Sequence, residues 1–314
     1  MLLATTPSLL IPVCNRIFIL RQNTTAGEIS KPDFDEHLLT HMMSGYVEHR
    51  LATSLGTYVL NEEILSFSHV NCHHAGIKDL SFTIRKGETV GLVSNNTSLP
   101  NLLLHMFRGN LPVNSGEIRL NGKIIHLHST RKTIAAGIGL VSENNNVFEN
   151  LSLSENICIM AEKESSYPFG MININTLHFT QNDLIENFLG QDFFQENIFS
   201  IKQLSRLKRK DIAISKNLAM HPNVMVFLNP TVNLDHHSAD VVYQRIRQCA
   251  QMNCANLVVS SKISDLLHTC DTIHFVFIGV ISISICTKDN DYADMINMYS
   301  DFINRLESPA CFPT

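Results

Sequence analysis

Cysteine and histidine, two residue types that often bind metals or act in catalysis, are plentiful in this sequence, but their spacing does not match known metal-binding or catalytic motifs. The eight cysteines form no Cys-x-x-Cys pair, which argues against a zinc ribbon or a thioredoxin-type site; they stand at positions 14, 72, 158, 249, 254, 270, 286 and 311. The histidines include the doublets His73-His74 and His236-His237, without carboxylate or cysteine partners at ligand spacing. Gly-x-Ser-x-Gly and His-Glu-x-x-His motifs are absent. We therefore predict no metal site and no catalytic nucleophile.

The composition of the chain excludes some classes of protein and favours others. The 314 residues carry 24 Lys+Arg against 29 Asp+Glu, a formal net charge of −5, so no nucleic-acid partner is expected. A 44% hydrophobic content is enough for one large domain, with or without attachments. Scattered cysteines are typical of a reduced, cytoplasmic protein.

Membrane segments are not predicted. The most apolar run, 273–285, contains Gly279 and is shorter than the roughly 20 residues that a membrane-spanning helix needs. Its alternating Ile and Ser residues predict an edge strand instead. The apolar N-terminus lacks the basic residues of a secretory signal. Membrane association would therefore have to go through a partner, at the inner face of the cell membrane.

The elements that must position any site follow an α/β pattern. Short apolar runs without alternation predict buried strands, which fall at 89–93, 138–141, 224–228, 256–260 and 273–277. Helices are predicted at 33–43, 101–107, 236–251 and over most of 151–215. Further strands are predicted at 15–20, 62–70, 80–85 and 116–120, the last closed by an Asn121-Gly122 turn. This order predicts a covered parallel sheet.

In this order and spacing, the segments from about Glu62 to Phe277 resemble the second nucleotide-binding half of the duplicated ATPase subunits of ABC-type sugar importers, those for ribose and galactose. The stretches that carry the resemblance are 81–88, 115–118 with 121–123, 137–143, 153–157, 204–205 with 212–214, and 228–231 with Asp235. The resemblance implies a P-loop NTPase-like fold with a parallel core sheet, an antiparallel β subdomain and a helical subdomain at about 151–215. It also implies ATP and Mg²⁺ as cofactors, and a membrane permease and a second nucleotide-binding domain as partners.

The phosphate-binding loop of that family departs most from the expected pattern. A P-loop reads Gly-x-x-x-x-Gly-Lys-Ser/Thr, in which glycines turn backbone amides toward the phosphates and lysine neutralises charge. The corresponding positions are Ser94, Asn95, Asn96, Thr97, Ser98, Leu99, Pro100 and Asn101. Leu99 would be strained wherever a positive φ is required, and Pro100 lacks both the lysine charge and an amide proton. Asn101, at the magnesium-holding position, is a weaker ligand.

Other family positions have lost their chemistry as well. Leu228 stands where the family has a magnesium-binding aspartate, and Asn229 where it has a catalytic glutamate. The signature sequence becomes Leu204-Ser205-Arg206-Leu207, whose bulky residues should block approach to a γ-phosphate. The switch-histidine position falls on Ser261 or Lys262.

Two positions keep a family residue type. Glu143 stands at the Q-loop position, and a solvated strand end is the alternative interpretation. Asp235 stands at the D-loop position, and an N-cap before the helix at 236 is the alternative. The basic run Lys208–Lys210 with Arg206 is interpreted as a solvated helix face.

Residues 14–18 match 270–274 in pattern, and Asp33, Leu39 and Met42 fall on Asp289, Met295 and Met298 at the same offset of 256. We interpret this as a repeat. Residues 1–60 are then the remnant of a preceding nucleotide-binding domain plus linker, 61–287 a degenerate nucleotide-binding domain, and 288–314 a helical tail.

The first hypothesis for function is a catalytically inactive ABC-type domain, because losing even one transition-state cation costs factors of about 10³. The second is a functional ATP-binding subunit, which would need Lys86, Arg108 or Lys208 near the phosphates. The third is a module whose 142–160 face docks a permease without nucleotide.

Overall fold

This computed structural model describes residues 2, 10–21, 24–34, 39, 61–94, 96–144, 147–160, 201, 204–277, 279–287 and 298. The chain divides into two compact units, Met1–Gly56 with Asp235–Asp240, and Thr57–Leu234 with Val241–Thr314.

The described strands and helices follow the predicted α/β order. The strands are β1 (Arg16–Arg21), β2 (Thr24–Ser30), β3 (Glu63–Cys72), β4 (Ile77–Arg85), β5 (Thr89–Ser94), β6 (Ser115–Leu120), β7 (Lys123–Ile124), β8 (Ile138–Val141), β9 (Val224–Leu228), β10 (Ala255–Ser260), β11 (Thr272–Phe277) and β12 (Val280–Cys286). The helices are α1 (Leu99–Phe107), α2 (Thr130–Ala135), α3 (Leu153–Cys158), α4 (Arg206–Leu218), α5 (His236–Gln251) and α6 (Ile263–Thr269).

A six-stranded sheet forms the centre of the second unit, in the order β12-β11-β5-β10-β9-β8. All neighbours from β11 to β8 pair in parallel, and β12 pairs antiparallel with β11 at the edge. The parallel sheet and its edge strand are therefore confirmed. Because parallel strands end at the same side of a sheet, the residues after β5, β8, β9 and β10 meet along one edge.

Both faces of this sheet are covered, which explains its uninterrupted apolar sequences. Every residue of β5 and β9 is buried. Leu92, Val226 and Leu257 join one hydrophobic cluster with the antiparallel sheet and α1. The intervening Val93, Phe227 and Val258 join another with α4, α5 and α6. Each such side chain contributes roughly 1.5–3 kcal/mol on burial.

The antiparallel subdomain is a four-stranded sheet in the order β4-β3-β6-β7. Phe67 and Phe82 stack across β3 and β4 with ring centroids 4.6 Å apart. Asn121 and Gly122 make the predicted turn, both with positive φ. Gly279, also at positive φ, lies against this sheet, because a Cβ there would be 1.9 Å from the Gly76 carbonyl oxygen.

Two expectations need adjustment. Residues 24–30, expected to be a polar connection, form β2, which pairs antiparallel with β1. Helix α1 begins at Leu99 rather than at residue 101, since proline is accepted in the first helical turn, where its missing amide proton has no intrahelical acceptor. Of the predicted helical region, α3 and the first part of α4 are described, and 161–200 lie outside the described residues. Most of the helix at 33–43 and the tail 288–314 lie outside them too.

In the first unit, β1 and β2 form a separate hairpin whose inner face carries Ile17, Ile19 and Ile29, packed with Leu39. None of the six cysteines whose side chains the structure describes forms a disulfide. No helix among the described residues has the length and apolar character required to cross a bilayer.

Candidate functional site

Backbone amides in the loop between β5 and α1 donate hydrogen bonds to oxygens of the same loop. The amide of Asn96 donates to Ser94 Oγ at 3.1 Å, and the amide of Ser98 donates to Asn96 Oδ1 at 2.9 Å. The amide of Leu99 donates to the Asn96 carbonyl at 3.0 Å. Asn95 lies outside the described residues. Three amides of this loop, those of Asn96, Ser98 and Leu99, therefore bond to the loop's own oxygens.

Backbone strain is absent from the described part of this loop, contrary to the expectation for Leu99. None of its described residues has a positive φ. Leu99 is instead the first residue of α1, and its side chain and Pro100 are buried. Thr97, Ser98 and Asn101 are exposed. The chain accepts a bulky residue here because the segment has become a helix start rather than a glycine-type turn.

Three side chains from neighbouring strand ends meet at the carboxyl edge of the sheet. Asn229, directly after β9, donates from Nδ2 to Glu143 Oε1 at 3.2 Å, beyond the end of β8. Its Oδ1 accepts the amide of Ser261, after β10, at 3.1 Å. Asn229 has a φ of 47°, a left-handed conformation that asparagine tolerates better than most residues. Glu143 is exposed, but this contact makes it more than a solvated strand end.

Leu228 precedes Asn229 and takes no part in this contact. Its side chain is 2% exposed and packs in the hydrophobic cluster beneath the antiparallel sheet. It provides no ligand atom for a cation.

Two other predicted site residues cap helices. Ser205 Oγ accepts the amide of Lys208 at 3.2 Å as the N-cap of α4. Asp235 Oδ1 accepts the amide of Ser238 at 2.9 Å at the start of α5. Partial burial raises the pKa of Asp235, but the hydrogen bonds from Ser238 outweigh this and leave it lowered. The N-cap alternative for Asp235 is therefore what the local geometry supports.

Comparison with known proteins identifies a family match and several relatives. A family model described as ABC transporter matches residues 77–232. Residues 77–232 therefore form an ABC transporter domain. It is 25% identical over 277 residues to the ribose import ATP-binding protein of Pseudomonas putida, covering 86% of this chain and 52% of that protein. It is 22% identical over 291 residues to the xylose import ATP-binding protein of Pectobacterium atrosepticum, covering 87% and 55%. The chain thus spans about half the length of these relatives.

Solved structures with the same fold are ATP-binding cassettes. Part of an ABC transporter complex from Clostridium perfringens, cbiO1, superposes with a TM-score of 0.62 at 18% identity, covering 80% of this chain and 97% of that one. The ADP conformation of the cassette MJ1267 gives a TM-score of 0.61 at 17% identity, covering 76% and 95%. The α/β fold predicted for an ABC-type nucleotide-binding domain is confirmed.

The two residues expected to replace signature glycines make contacts of their own. Arg206 donates from Nη1 to the carbonyl of Asn233 at 3.0 Å, and Leu207 packs against the cluster under α4.

A buried lysine of the cassette was missed by sequence reasoning. Lys210 is 2% exposed, so its interpretation as part of a solvated helix face was wrong. Its Nζ donates to the Ser142 carbonyl at 3.0 Å, next to Glu143. Burial lowers the pKa of Lys210 to about 8, while the negative charges of Glu143 and Asp265 act in the opposite direction.

A buried carboxylate of the cassette was missed as well. Asp265, in α6, accepts hydroxyl groups from three elements: Thr231 at 2.6 Å, Tyr243 at 2.9 Å and Ser260 at 2.7 Å. Asp265 has no exposed surface. The network ties the turn after β9 to the end of β10 and to the middle of α5, and so fixes the strand ends that carry Asn229 and Ser261.

We predict that Asn229→Asp lowers the free energy of unfolding by about 1–3 kcal/mol at neutral pH. The substitution keeps the size and the Ser261 acceptor, but replaces the donor to Glu143 with a second negative charge. Urea denaturation measures the loss, which should shrink at acidic pH, where two neighbouring carboxyls can share a proton. Glu143→Gln in the same background should restore stability; an unchanged loss would show that the two side chains do not interact.

Proposed function

We propose that this chain is a cassette of a carbohydrate-import ABC transporter that does not hydrolyse ATP. The observation that carries the proposal is the internal bonding of the 94–101 loop, where a phosphate-binding loop would present its amides. Its family and fold support the transporter assignment, and the names of its relatives suggest ribose or another sugar as the imported substrate.

The residues present do not fit a triphosphate. Binding would have to break the hydrogen bonds of the Asn96, Ser98 and Leu99 amides, each worth about 1 kcal/mol. Pro100 brings neither a charge nor an amide proton to compensate. Lys86, one of the cations considered as a substitute, pairs with Glu62 at 3.3 Å.

The residues present do not fit a catalytic Mg²⁺ either. Leu228 points into the core, and Asn101 is exposed on α1. No group of three or more His, Cys, Asp or Glu side chains that could hold a metal occurs among the described residues. Asn229 cannot accept a proton as a general base, and its amide is already bonded to Glu143 and Ser261. Neither ATP nor Mg²⁺ is therefore expected as a resident cofactor.

The purified full chain should release phosphate from Mg-ATP at least about 10³-fold more slowly than an active cassette, because a lost transition-state cation has this effect. A fluorescent ATP analogue should show no saturable binding up to millimolar concentration. Asn229→Ala serves as the control for contaminating ATPases. Magnesium-dependent turnover that disappears in this variant would contradict the proposal, and saturable binding without turnover would favour an ATP-binding subunit.

The partners that we propose are a membrane permease and a second nucleotide-binding domain. This would place the chain at the cytoplasmic face of the cell membrane. A cavity of about 260 Å³ offers a docking surface on the 142–160 side of the cassette; its lining includes Ile134, Leu140, Phe148, Arg108 and Lys216. The Lys216 ammonium lies 5.0 Å from the centre of the Phe148 ring. An apolar floor with two cations suits a permease segment that carries apolar residues and an acidic group.

Co-expression with the permease subunit of a sugar-import ABC transporter tests this docking. The chain should co-purify with the permease, and Ile134→Glu should reduce recovery because it places a charge among the apolar lining residues. Lys123→Glu, in the exposed strand β7 of the antiparallel sheet, is the matched control and should have no effect. Equal recovery of both variants would argue against docking at the cavity.

A further inference from the structure

The β1–β2 hairpin of the first unit repeats the β11–β12 hairpin of the second at one constant offset. β1 (Arg16–Arg21) falls on β11 (Thr272–Phe277), and β2 (Thr24–Ser30) falls on β12 (Val280–Cys286), each shifted by 256 residues. The two strands thus have the same lengths and the same connection length in both hairpins.

The pairing also repeats at this offset. Arg16 faces Ser30 as Thr272 faces Cys286, and the register shifts after the fourth residue in both, at Ile19/Leu20 and Phe275/Val276. The Lys31 amide donates to the Asn15 carbonyl at 2.9 Å, as the Thr287 amide does to the Asp271 carbonyl. Since the side chains differ at most positions, the shared register and bulge identify one supersecondary unit present twice.

The two hairpins differ on the outer edge of the first strand. β11 pairs there in parallel with β5, with His274 opposite Leu92 and Ile273 opposite Gly91. The described residues supply no strand to the corresponding edge of β1, whose sheet has two strands.

Peptide geometry identifies the groups at this open edge. The Asn15 carbonyl points toward β2, where it accepts from Lys31, so the Arg16 amide points the other way. Because directions alternate along a strand, the Phe18 amide also points to the open edge. Both groups correspond to those that β11 presents to β5.

The outer face of β1 is unusually apolar for an edge. Phe18 is 55% exposed and Leu20 is 63% exposed, while Ile17 and Ile19 are buried in the first unit. The residue of β11 that corresponds to Leu20 is Val276, which is 1% exposed. An edge strand with exposed apolar side chains is a template for pairing with another strand.

We propose that β1 accepts a parallel β-strand from the core sheet of a second cassette domain that lacks its own counterpart of β11, in the register that β5 takes on β11. The strand would be apolar on both faces, as β5 is, because it would lie between β1 and the rest of its own sheet. This surface goes beyond the proposed function and does not depend on nucleotide binding.

A second copy of this chain does not suit the edge. Its own β5 is already paired on both sides, with β11 and β10. Antiparallel pairing of two copies of β1 centred on the strand would place Arg16 opposite Arg21, and like charges facing each other across strands are destabilising.

Disulfide trapping tests the register. The full chain carries Phe18→Cys together with Cys14→Ser and Cys286→Ser, and the probe is a synthetic peptide with the sequence of residues 87–96. One peptide has cysteine at the Leu92 position, opposite residue 18, and a matched peptide has it at the Gly91 position. In a glutathione buffer, the first peptide should form at least about fivefold more mixed disulfide, the factor expected from a preference of about 1 kcal/mol.

Adding Arg16→Pro removes an outward amide without touching a bond to β2, and should lower the trapped yield about fivefold. Hydrogen exchange should show fast exchange of the Arg16 and Phe18 amides in the unmutated chain, and unchanged β2 protection in the proline variant. Equal yields from both peptides, disulfide-linked dimers of the chain as the main product, or amides already protected in the isolated chain would each overturn the proposal.

Discussion

Lys210 should make the free energy of unfolding rise by roughly 3 kcal/mol between about pH 8 and pH 10.4. The Lys210→Met variant should lack this rise. The folded chain holds Lys210 with a pKa of about 8, because burial disfavours its charged form. An unfolded lysine has a pKa of about 10.4. Below pH 8 the lysine is charged in both states, so its desolvation penalty is fully present.

The sign follows from proton counting. Between the two pKa values the unfolded chain binds one proton more than the folded chain at this residue, so stability rises with pH by about 1.4 kcal/mol per unit. Other buried groups act oppositely in this range. Burial raises the pKa values of Cys254, Cys270 and Tyr243, so these groups stay protonated to higher pH in the folded chain than in the unfolded chain. The Lys210 contribution is therefore the difference between the curves of the unmutated chain and the variant.

Urea denaturation at half-unit steps from pH 7 to pH 10.5 measures this difference. Lys123→Met makes the same substitution in the exposed strand β7 and should give a curve parallel to that of the unmutated chain. Parallel curves for Lys210→Met as well would mean that the Lys210 ammonium is hydrated in the folded chain.

Lys210 also illustrates what sequence could reveal and what it could not. Strand β9 coincides with the predicted 224–228 run, because a strand buried on both faces has a continuous apolar sequence. The basic run at 208–210 suggested a solvated helix face. Helical spacing would have been the better guide, because Lys210 follows Leu207 by three residues and precedes Ile214 by four, on the face that packs inward.

Other parts of the site lay beyond local patterns. The sequence placed a loop between β5 and the following helix, but the hydrogen bonds of that loop depend on which side-chain oxygen turns toward which amide. The partners of Asp265 lie 34, 22 and 5 residues away in sequence, so no spacing rule links the three hydroxyls to one carboxylate. The Asn229 contact spans 86 residues, although family register had placed both of its ends at the strand edge.

Asp265→Leu should destabilise the cassette by about 3–5 kcal/mol, the range for removing one partner of a buried charged group. Leucine has a similar volume, but it leaves the hydroxyls of Thr231, Tyr243 and Ser260 without their acceptor in a region closed to water. Asp265→Asn keeps one acceptor oxygen and should lose less. Tyr243→Phe removes a single donor together with its need for a partner, and should cost about 1 kcal/mol.

The two networks should also be coupled, because the negative charge of Asp265 favours the charged form of Lys210. In Asp265→Asn the pKa of Lys210 should therefore fall further, and the rise in stability with pH should begin below pH 8. Comparing Asp265→Asn with Asp265→Asn/Lys210→Met over the same pH range isolates this shift. A rise that still begins at pH 8 would mean that Glu143 alone opposes the effect of burial on the pKa of Lys210. An Asp265→Leu variant whose stability is within about 1 kcal/mol of the unmutated chain would mean that water replaces the lost acceptor.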